Sequence, residues 1–227
     1  MLNKEAMVLS GQKITRILQL GKISWQEALQ VQRDFVQKKI KDRSLCDWLI
    51  FCQHHPLVYT CGKRAVNVET LPSSVRDSIV FSERGGQITC HNEGQLVIYP
   101  IVDLGFRGKS VRKYVESLES MLIRALSHKG TGFQRKEKTA GIWTAEEEKI
   151  ASIGLQVKHW ISMHGAAINV CNDLVPFRQN ELEICGQKGG KVTSLKEKFG
   201  FKGEPEALIQ TVCDEFEQVF HTKVQRI

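Results

Sequence analysis

Hydrophobic residues recur at helical spacing in three stretches of the chain. The first covers 24–42 and opens with Ser24 three residues before Glu27, which is the spacing of a capping box. The second is capped by Ser110, and the third covers 205–220. The apolar positions of the second and third are Val111, Tyr114, Val115, Leu118, Met121, Leu122, Ala125 and Leu126, and Leu208, Ile209, Val212, Phe216 and Phe220. The pattern predicts three helices, each with one face in the core.

Shorter apolar or alternating runs between these stretches predict β-strands. Two such runs, DWLIFCQ and LVYTCG, lie on either side of His54-His55-Pro56. Residues 87–91, a turn at Asn92-Glu93-Gly94 and residues 95–102 have the pattern of a β-hairpin.

Three further strand-like segments follow the second helix. They are GIWT, KIASIGLQV and GAAINVC, with the apolar WISM between the last two. The order of elements is mixed and has no regular βαβ rhythm, so it predicts an α+β fold. Because the chain contains no repeat or Pro/Ser-rich linker, we expect residues 1–227 to form one domain.

The composition narrows the class of protein. Seven cysteines are an odd number without a C-x-x-C pair, which predicts reduced thiols in a cytosol-like compartment. No apolar run approaches the roughly 18–20 residues of a membrane span. Residues 1–12 lack the pattern of a secretory signal. The net charge of +7 favours negatively charged partners. Because the basic residues are dispersed and only 7% of residues are aromatic, we expect an acidic protein as the partner and not a nucleic acid.

Paired glycines at Gly85-Gly86 are the first candidate for chemistry. Without side chains they let the backbone approach a ligand or adopt positive φ, and a glycine bulge at a sheet edge explains them equally well. Arg84 could hold an anion or cap a neighbouring loop, and His91 could simply end a strand.

Cys185 is the second candidate, in a glycine-rich loop with Lys188 and Lys191 nearby. Nearby cations favour the thiolate, which is the nucleophilic form, although most cysteines are small buried residues. Cys171 and Cys90 have the pattern of strand core.

Lys149 is the third candidate, because it enters an otherwise apolar strand. A lysine at a strand start is commonly solvated. The alternative is a pocket opposite a thiol, where its ammonium lowers the thiol pKa and its neutral amine accepts a proton.

Other motifs are excluded by spacing. Gly186 to Gly190 leaves three residues between glycines where a P-loop has four, and Val192 occupies the position of the magnesium-binding hydroxyl. The chain has no G-x-S-x-G, and His54-His55 has no partners at metal-ligand spacing. Nucleotide, serine-hydrolase and zinc chemistry are therefore not predicted.

The segment RGGQITCHNEGQLVIYP, residues 84–100, matches in full the signature RGGQ-x-T-x-H-x-x-GQ-x-x-x-YP. KIASIGLQV, HGAAINV and CGQKGGKVTSL follow in order, and HHPLVYTCGK, VRKYVESLESMLIRAL and GIW also fit. Over about residues 50–196 the chain therefore resembles the lipoyl(octanoyl) transferases, also named octanoyl-acyl-carrier-protein:protein N-octanoyltransferases.

The resemblance implies a fold similar to the biotin/lipoate ligase catalytic fold, with mixed and antiparallel sheets flanked by helices. It implies that Cys185 attacks the thioester of octanoyl-acyl carrier protein and that Lys149 moves protons. The acceptors would be lysines of the lipoyl domains of 2-oxoacid dehydrogenase complexes and of the glycine cleavage H protein. It implies no metal and no cofactor, because the thioester already carries the activation.

The implied acyl pocket combines three segments of the chain. Its residues are Arg84, Gly85, Gly86, Gln87, Ile88, Thr89, Cys90, His91, Ser152, Ile153, Gly154, Gly165, Ala166 and Ala167. Backbone amides near Gly85, Gly86 or Gly165 are candidates for stabilising the thioester oxyanion.

The chain departs from the family pattern at three places. Ile184 replaces a proline before the cysteine, Asn92-Glu93 replaces Gly-Pro, and Cys61 stands in a T-L-G position. These changes bear on loop geometry and rate and remove no reactive group.

Two alternatives stay open: an ATP-dependent lipoate or biotin ligase of the same fold, and a non-catalytic module that binds acyl carrier protein or lipoyl domains. We expect a cytoplasmic protein, or an organellar one if the source is eukaryotic, that binds neither nucleic acid nor membrane.

Overall fold

The computed structural model describes residues 13–63, 65, 68–70, 73–137, 139–178 and 191–226. The helices in these ranges are α1 (Trp25–Lys41), α2 (Ser73–Arg76), α3 (Val111–Ser127), α4 (Leu195–Phe199) and α5 (Ile209–Phe220). The strands there are β1 (Lys13–Ile23), β2 (Asp47–His54), β3 (Val58–Cys61), β4 (Ile79–Phe81), β5 (Ile88–His91), β6 (Gln95–Ile101), β7 (Gln134–Lys136), β8 (Thr139–Trp143), β9 (Lys149–Lys158), β10 (Ile161–Asn169) and β11 (Thr222–Arg226).

The strands of the described residues form two sheets. The larger has the order β11-β1-β2-β6-β10-β9-β8-β7, and the smaller has the order β4-β3-β5. β1 is parallel to both β2 and β11, β3 is parallel to β4, and the other pairs are antiparallel. The mixed sheets confirm the predicted α+β class.

Helices cover both faces of the larger sheet. Side chains alternate along a strand, so Val97 and Tyr99 of β6 pack in the cluster that contains Ala28 and Val36 of α1. Leu96 and Ile98 pack on the other face, in the cluster formed with α3 and α5. The predicted capping box is confirmed at Ser24 and Glu27, and Ser110 caps α3 as predicted. None of the described helices is long and apolar enough to cross a membrane.

The predicted hairpin of residues 87–102 is wrong. β5 pairs with β3 in the smaller sheet, whereas β6 lies between β2 and β10 in the larger one. The turn is held by distant residues: Gly94 N–H donates to Gln53 Oε1 at 2.8 Å, and its carbonyl accepts from Cys171 N–H at 3.0 Å. These contacts draw the chain away from β5, so this stretch joins the two sheets.

The structure differs from the sequence predictions at four further places. Val111 is 42% exposed, so it lies outside the core stripe of α3. Most of WISM belongs to β10, which begins at Ile161, and 205–208 is a 3-10 turn before α5. Cys90 is buried as predicted, but Cys171 is part-exposed beyond the end of β10, with its thiol 3.8 Å from Glu204. The strand-core prediction for Cys171 is therefore wrong.

Candidate active site

A cavity of about 1030 Å³ lies where β6, β8, β9 and β10 meet the start of α3 and the loop before β5. Three segments far apart in the sequence line it together. The predicted residues that line it are Arg84, Gly85, Gly86, Gln87, Ile88, Thr89, His91, Lys149, Ser152, Ile153, Gly154, Gly165, Ala166 and Ala167.

Two predicted site residues are not placed in this cavity. Cys90 is fully buried on the other side of β5, in a cluster with Tyr59 and Phe177, and is not among the lining residues. Cys185 lies outside the described residues, within 179–190. The role predicted for Cys185 therefore stays a prediction.

Arg84 holds the glycine loop against β3. Its guanidinium donates to the Thr60 carbonyl at 2.7 Å, to Thr60 Oγ1 at 2.8 Å and to the Gln87 carbonyl at 2.8 Å. Of the two roles left open by the sequence, loop capping is the one that these contacts support. Gly85 N–H donates to the Leu155 carbonyl at 2.8 Å, so this amide is already used and the expectation that it stabilises an oxyanion is not supported.

Lys149 is buried, with 4% of its surface exposed, so it is not a solvated lysine at a strand start. Trp143 pairs with Lys149 and Ile142 with Ala151, which leaves Ile150 as an extra residue in β9. Such a β-bulge changes the direction of the side chains beside it. The Lys149 Nζ atom lies 4.7 Å from the centre of the Trp143 ring, a cation-π distance.

The backbone of Lys149 is bonded to the segment that follows the Cys185 loop. Lys149 N–H donates to the Lys191 carbonyl at 2.7 Å, and Thr193 N–H donates to the Lys149 carbonyl at 3.0 Å. A short parallel bridge between Lys149 and Val192 results. This bridge fixes Val192 next to the backbone of Lys149.

A buried chain of hydrogen bonds links the cavity wall to the same segment. His91 Nδ1 donates to Gln95 Oε1 at 2.7 Å, and Gln95 Nε2 donates to Asn169 Oδ1 at 2.9 Å. Asn169 Nδ2 then donates to the Thr193 carbonyl at 3.1 Å. Burial lowers the pKa of His91 to about 3, so its imidazole is neutral near pH 7. Sequence reasoning assigned Gln95 and Asn169 to strands and missed this contact.

Two more histidines near the cavity are also neutral. The Ile23 carbonyl, 3.2 Å from His54 Nδ1, can only accept, so Nε2 accepts from the Tyr99 hydroxyl at 2.7 Å. Burial lowers the pKa of His54 to about 4 and that of His164 to about 3. His164 has φ of 59° inside a strand, held by a 2.9 Å bond from its N–H to Gln32 Oε1. Strained backbone of this kind is concentrated at functional sites.

A family model described as the lipoyl protein ligase A/B catalytic domain matches residues 24–217. This chain belongs to that family. Among curated proteins, this lipoyl protein ligase A/B family member is 38% identical to the octanoyltransferase of Geobacter metallireducens, over 81% of this chain and 83% of the relative. It is 40% identical to the octanoyltransferase of Syntrophotalea carbinolica, over 86% and 87% of the two chains. A third octanoyltransferase, from Caldanaerobacter subterraneus, is 37% identical over 93% and 92%.

Solved structures support the same fold for this family member. A lipoate-protein ligase A bound with ATP has a TM-score of 0.70 at 13% identity, covering 94% of this chain and 88% of the other. The biotin protein ligase from Aquifex aeolicus has a TM-score of 0.54 at 12% identity, covering 91% and 69%. At this identity the likeness shows the fold alone. The predicted family, acyltransferase class and ligase-like fold are confirmed.

Proposed function

We propose that this protein transfers an octanoyl or lipoyl group from acyl carrier protein to a lysine of a lipoyl domain, through a thioester on Cys185. The acceptors are the lipoyl domains of 2-oxoacid dehydrogenase complexes and the glycine cleavage H protein. The observation that carries the proposal is Lys149, buried at the cavity and hydrogen-bonded through its backbone to the segment six to eight residues after Cys185. The octanoyltransferase relatives support the transfer of an octanoyl group.

In the first half-reaction the Cys185 thiolate attacks the thioester carbonyl carbon, and the bond from that carbon to the carrier sulfur breaks. The ammonium of Lys149 favours the thiolate electrostatically before attack. It then gives a proton to the departing carrier thiolate, which leaves Lys149 as a neutral amine.

In the second half-reaction the acceptor amine attacks the acyl-enzyme and forms an amide. The nitrogen loses its proton to neutral Lys149, and the Cys185 thiolate departs. Both groups return to their starting charge states. No metal, nucleotide or other cofactor takes part in this scheme, because the thioester supplies the free energy.

Small residues at the cavity favour an acyl substrate. Ser152, Gly154, Ala166 and Ala167 line it without bulky side chains. Each methylene removed from water contributes about 0.8 kcal/mol, so an eight-carbon chain gains several kcal/mol over a short one. The net charge of +7 favours encounter with an acidic carrier protein, and this attraction weakens with salt.

A free-acid ligase that uses ATP is the second candidate function. The ligase structures share only the fold with this chain, so they do not favour this candidate. Incubation with octanoate and ATP, without a thioester donor, tests it directly: product would favour the ligase. A cytoplasmic location remains a prediction from the sequence.

Intact mass after mixing with octanoyl-acyl carrier protein tests the proposal. We expect the protein to gain the mass of one octanoyl group and the Cys185→Ser variant to gain none. Cys171→Ser is the matched control, because Cys171 is a part-exposed thiol that does not line the cavity, and this variant should be acylated normally. An unchanged mass of the native protein would refute the covalent mechanism. Acylation of the Cys185→Ser variant at another cysteine, located by peptide mass spectrometry, would move the thioester to that residue.

A further inference from the structure

Glu119 is a carboxylate on the buried side of α3, where its neighbours Leu118 and Leu122 are fully buried. Only 6% of its surface is exposed, and it lines the cavity. Burial raises the pKa of Glu119. A buried carboxylate costs stability unless it makes hydrogen bonds, so its contacts account for its presence.

The main contact of Glu119 is with the backbone of β8. Gly141 N–H donates to Glu119 Oε1 at 3.2 Å. The pairing of β7 with β8 shifts in register between Gln134 and Lys136, beside Gly141. The carboxylate therefore satisfies a backbone donor at an irregular part of the sheet. Its other oxygen forms an ion pair with Arg135 Nε at 3.7 Å, a distance too long for a hydrogen bond.

Gly141 in turn lies against the side chain of Lys149. Gly141 has φ of 143°, and a Cβ there would lie 2.8 Å from Lys149 Cε and 2.6 Å from the Ala151 carbonyl. Two residues along the same strand, the Trp143 ring faces the ammonium. Residues 141–143, which we name the lysine seat, therefore set where Nζ lies.

We propose that Glu119 is a positioning residue that fixes the lysine seat, and so places the Lys149 amine for proton transfer in both half-reactions. The proposal rests on the function proposed above. Glu119 acts by accepting the Gly141 hydrogen bond, and its negative charge is not required.

Two conservative variants separate the hydrogen bond from the charge. Glu119→Gln keeps the length of the side chain and an oxygen that accepts from Gly141 N–H, but it removes the charge. Glu119→Asp keeps the charge but shortens the side chain by one methylene, which moves the carboxylate away from Gly141 N–H. We expect the rate of Cys185 acylation to stay within about twofold for the Gln variant and to fall about tenfold for the Asp variant, a loss equivalent to one buried hydrogen bond.

Glu217→Ala is the matched control. Glu217 is also a helical carboxylate that accepts from a strand N–H, that of Val224 at 2.6 Å, but it lies in α5 beside β11, at the opposite edge of the sheet from the lysine seat. This variant should lose thermal stability and keep its acylation rate.

The experiment measures acyl-enzyme formation by intact mass, with a small octanoyl thioester in excess as the donor. Two outcomes would overturn the proposal for Glu119, provided that the native protein is acylated. One is an acylation rate of the Asp variant equal to the native rate, and the other is an acylation rate of the Gln variant as low as that of the Asp variant. If the native protein is not acylated, the proposed function itself fails.

Discussion

Lys149 combines burial with a position over an aromatic ring. Burial alone disfavours the ammonium, whereas a ring face contributes roughly 0.5–2 kcal/mol in its favour. The bulge at Ile150 brings Lys149 opposite Trp143, where the ammonium lies over the ring. Burial and the ring face therefore act on the ammonium in opposite directions.

Replacing Lys149 by Ala should slow acylation of Cys185 and shift the pH profile of thiol reactivity to higher pH. The reason is that a nearby ammonium lowers the pKa of a thiol, so its removal raises that pKa. Rates of alkylation by iodoacetamide from pH 6 to 10, followed at Cys185 by mass spectrometry, measure the shift.

Lys158→Ala is the control, because Lys158 ends the same strand and is exposed. It should leave the profile unchanged. An unaltered pH profile in the Lys149→Ala variant would show that Lys149 does not lower the pKa of the Cys185 thiol.

Sequence patterns identified about half of the residues that line the cavity and none of the residues that support them. Arg84, His91 and Lys149 stand in segments with a recognisable spacing. Asn169 and Glu119 have ordinary positions in a strand and a helix, and each acquires its role from a partner 22 or more residues away. Such a partnership exists only after folding, so spacing along the chain does not reveal it.

The elements of the fold were predicted better than their pairing. α1, α3 and α5 follow from hydrophobic periodicity, and each buries one face, although Val111 of the predicted α3 face is exposed. The strands on either side of Asn92-Glu93-Gly94 have hairpin spacing, yet they enter different sheets. Gly94 donates a hydrogen bond to Gln53 and accepts one from Cys171, and the residues of the turn itself do not reveal these distant partners.

Close packing between β6 and β10 gives a prediction for Gly165→Ala. A Cβ at Gly165 would overlap the Ile98 carbonyl oxygen and lie 2.6 Å from Pro100 Cδ. Overpacking of this kind costs typically about 1–3 kcal/mol, so the free energy of unfolding in urea should fall by that amount.

Gly85→Ala is the comparison variant, because a Cβ there would meet the Leu155 carbonyl at an ordinary 3.5 Å. It should unfold at nearly the native urea concentration. Equal stabilities of the two variants would contradict the packing argument.

At the scale of the whole molecule, the sequence predicted an α+β class and left the strand order open. β11 pairs with β1 across some 200 residues, and this long-range parallel contact places both strands at one edge of the sheet. Periodicity indicates which face of a strand is buried, but several strand orders bury the same faces. The order is set by how all the buried faces pack together.

Buried neutral histidines make stability depend on pH. The folded pKa of His54 is about 4, below its ordinary value of 6.5, so the unfolded chain takes up this proton first as pH falls. The contribution of His54 is therefore complete above pH 6.5 and is lost between pH 6.5 and 4. Tyr99, Cys52 and His91 are the titratable groups facing it.

Between pH 7.5 and 5 the free energy of unfolding in urea should fall by about 2 kcal/mol less for the His54→Gln variant than for the native protein. His159→Asn is the control, since His159 is exposed at a positive φ that Asn tolerates. Parallel pH curves for the native and His54→Gln proteins would show that His54 titrates normally in the fold.

The joint between the two sheets has a consequence for changing acyl-chain length. Residues 84–100 contribute to the cavity wall and also connect the two sheets. A substitution in this segment therefore alters both the cavity wall and the connection between the sheets. Ile153 and Ala166 pair across β9 and β10, inside the larger sheet, and neither belongs to the segment that connects the sheets. Variants selected for longer or shorter acyl chains should therefore accumulate on β9 and β10, leaving the signature intact.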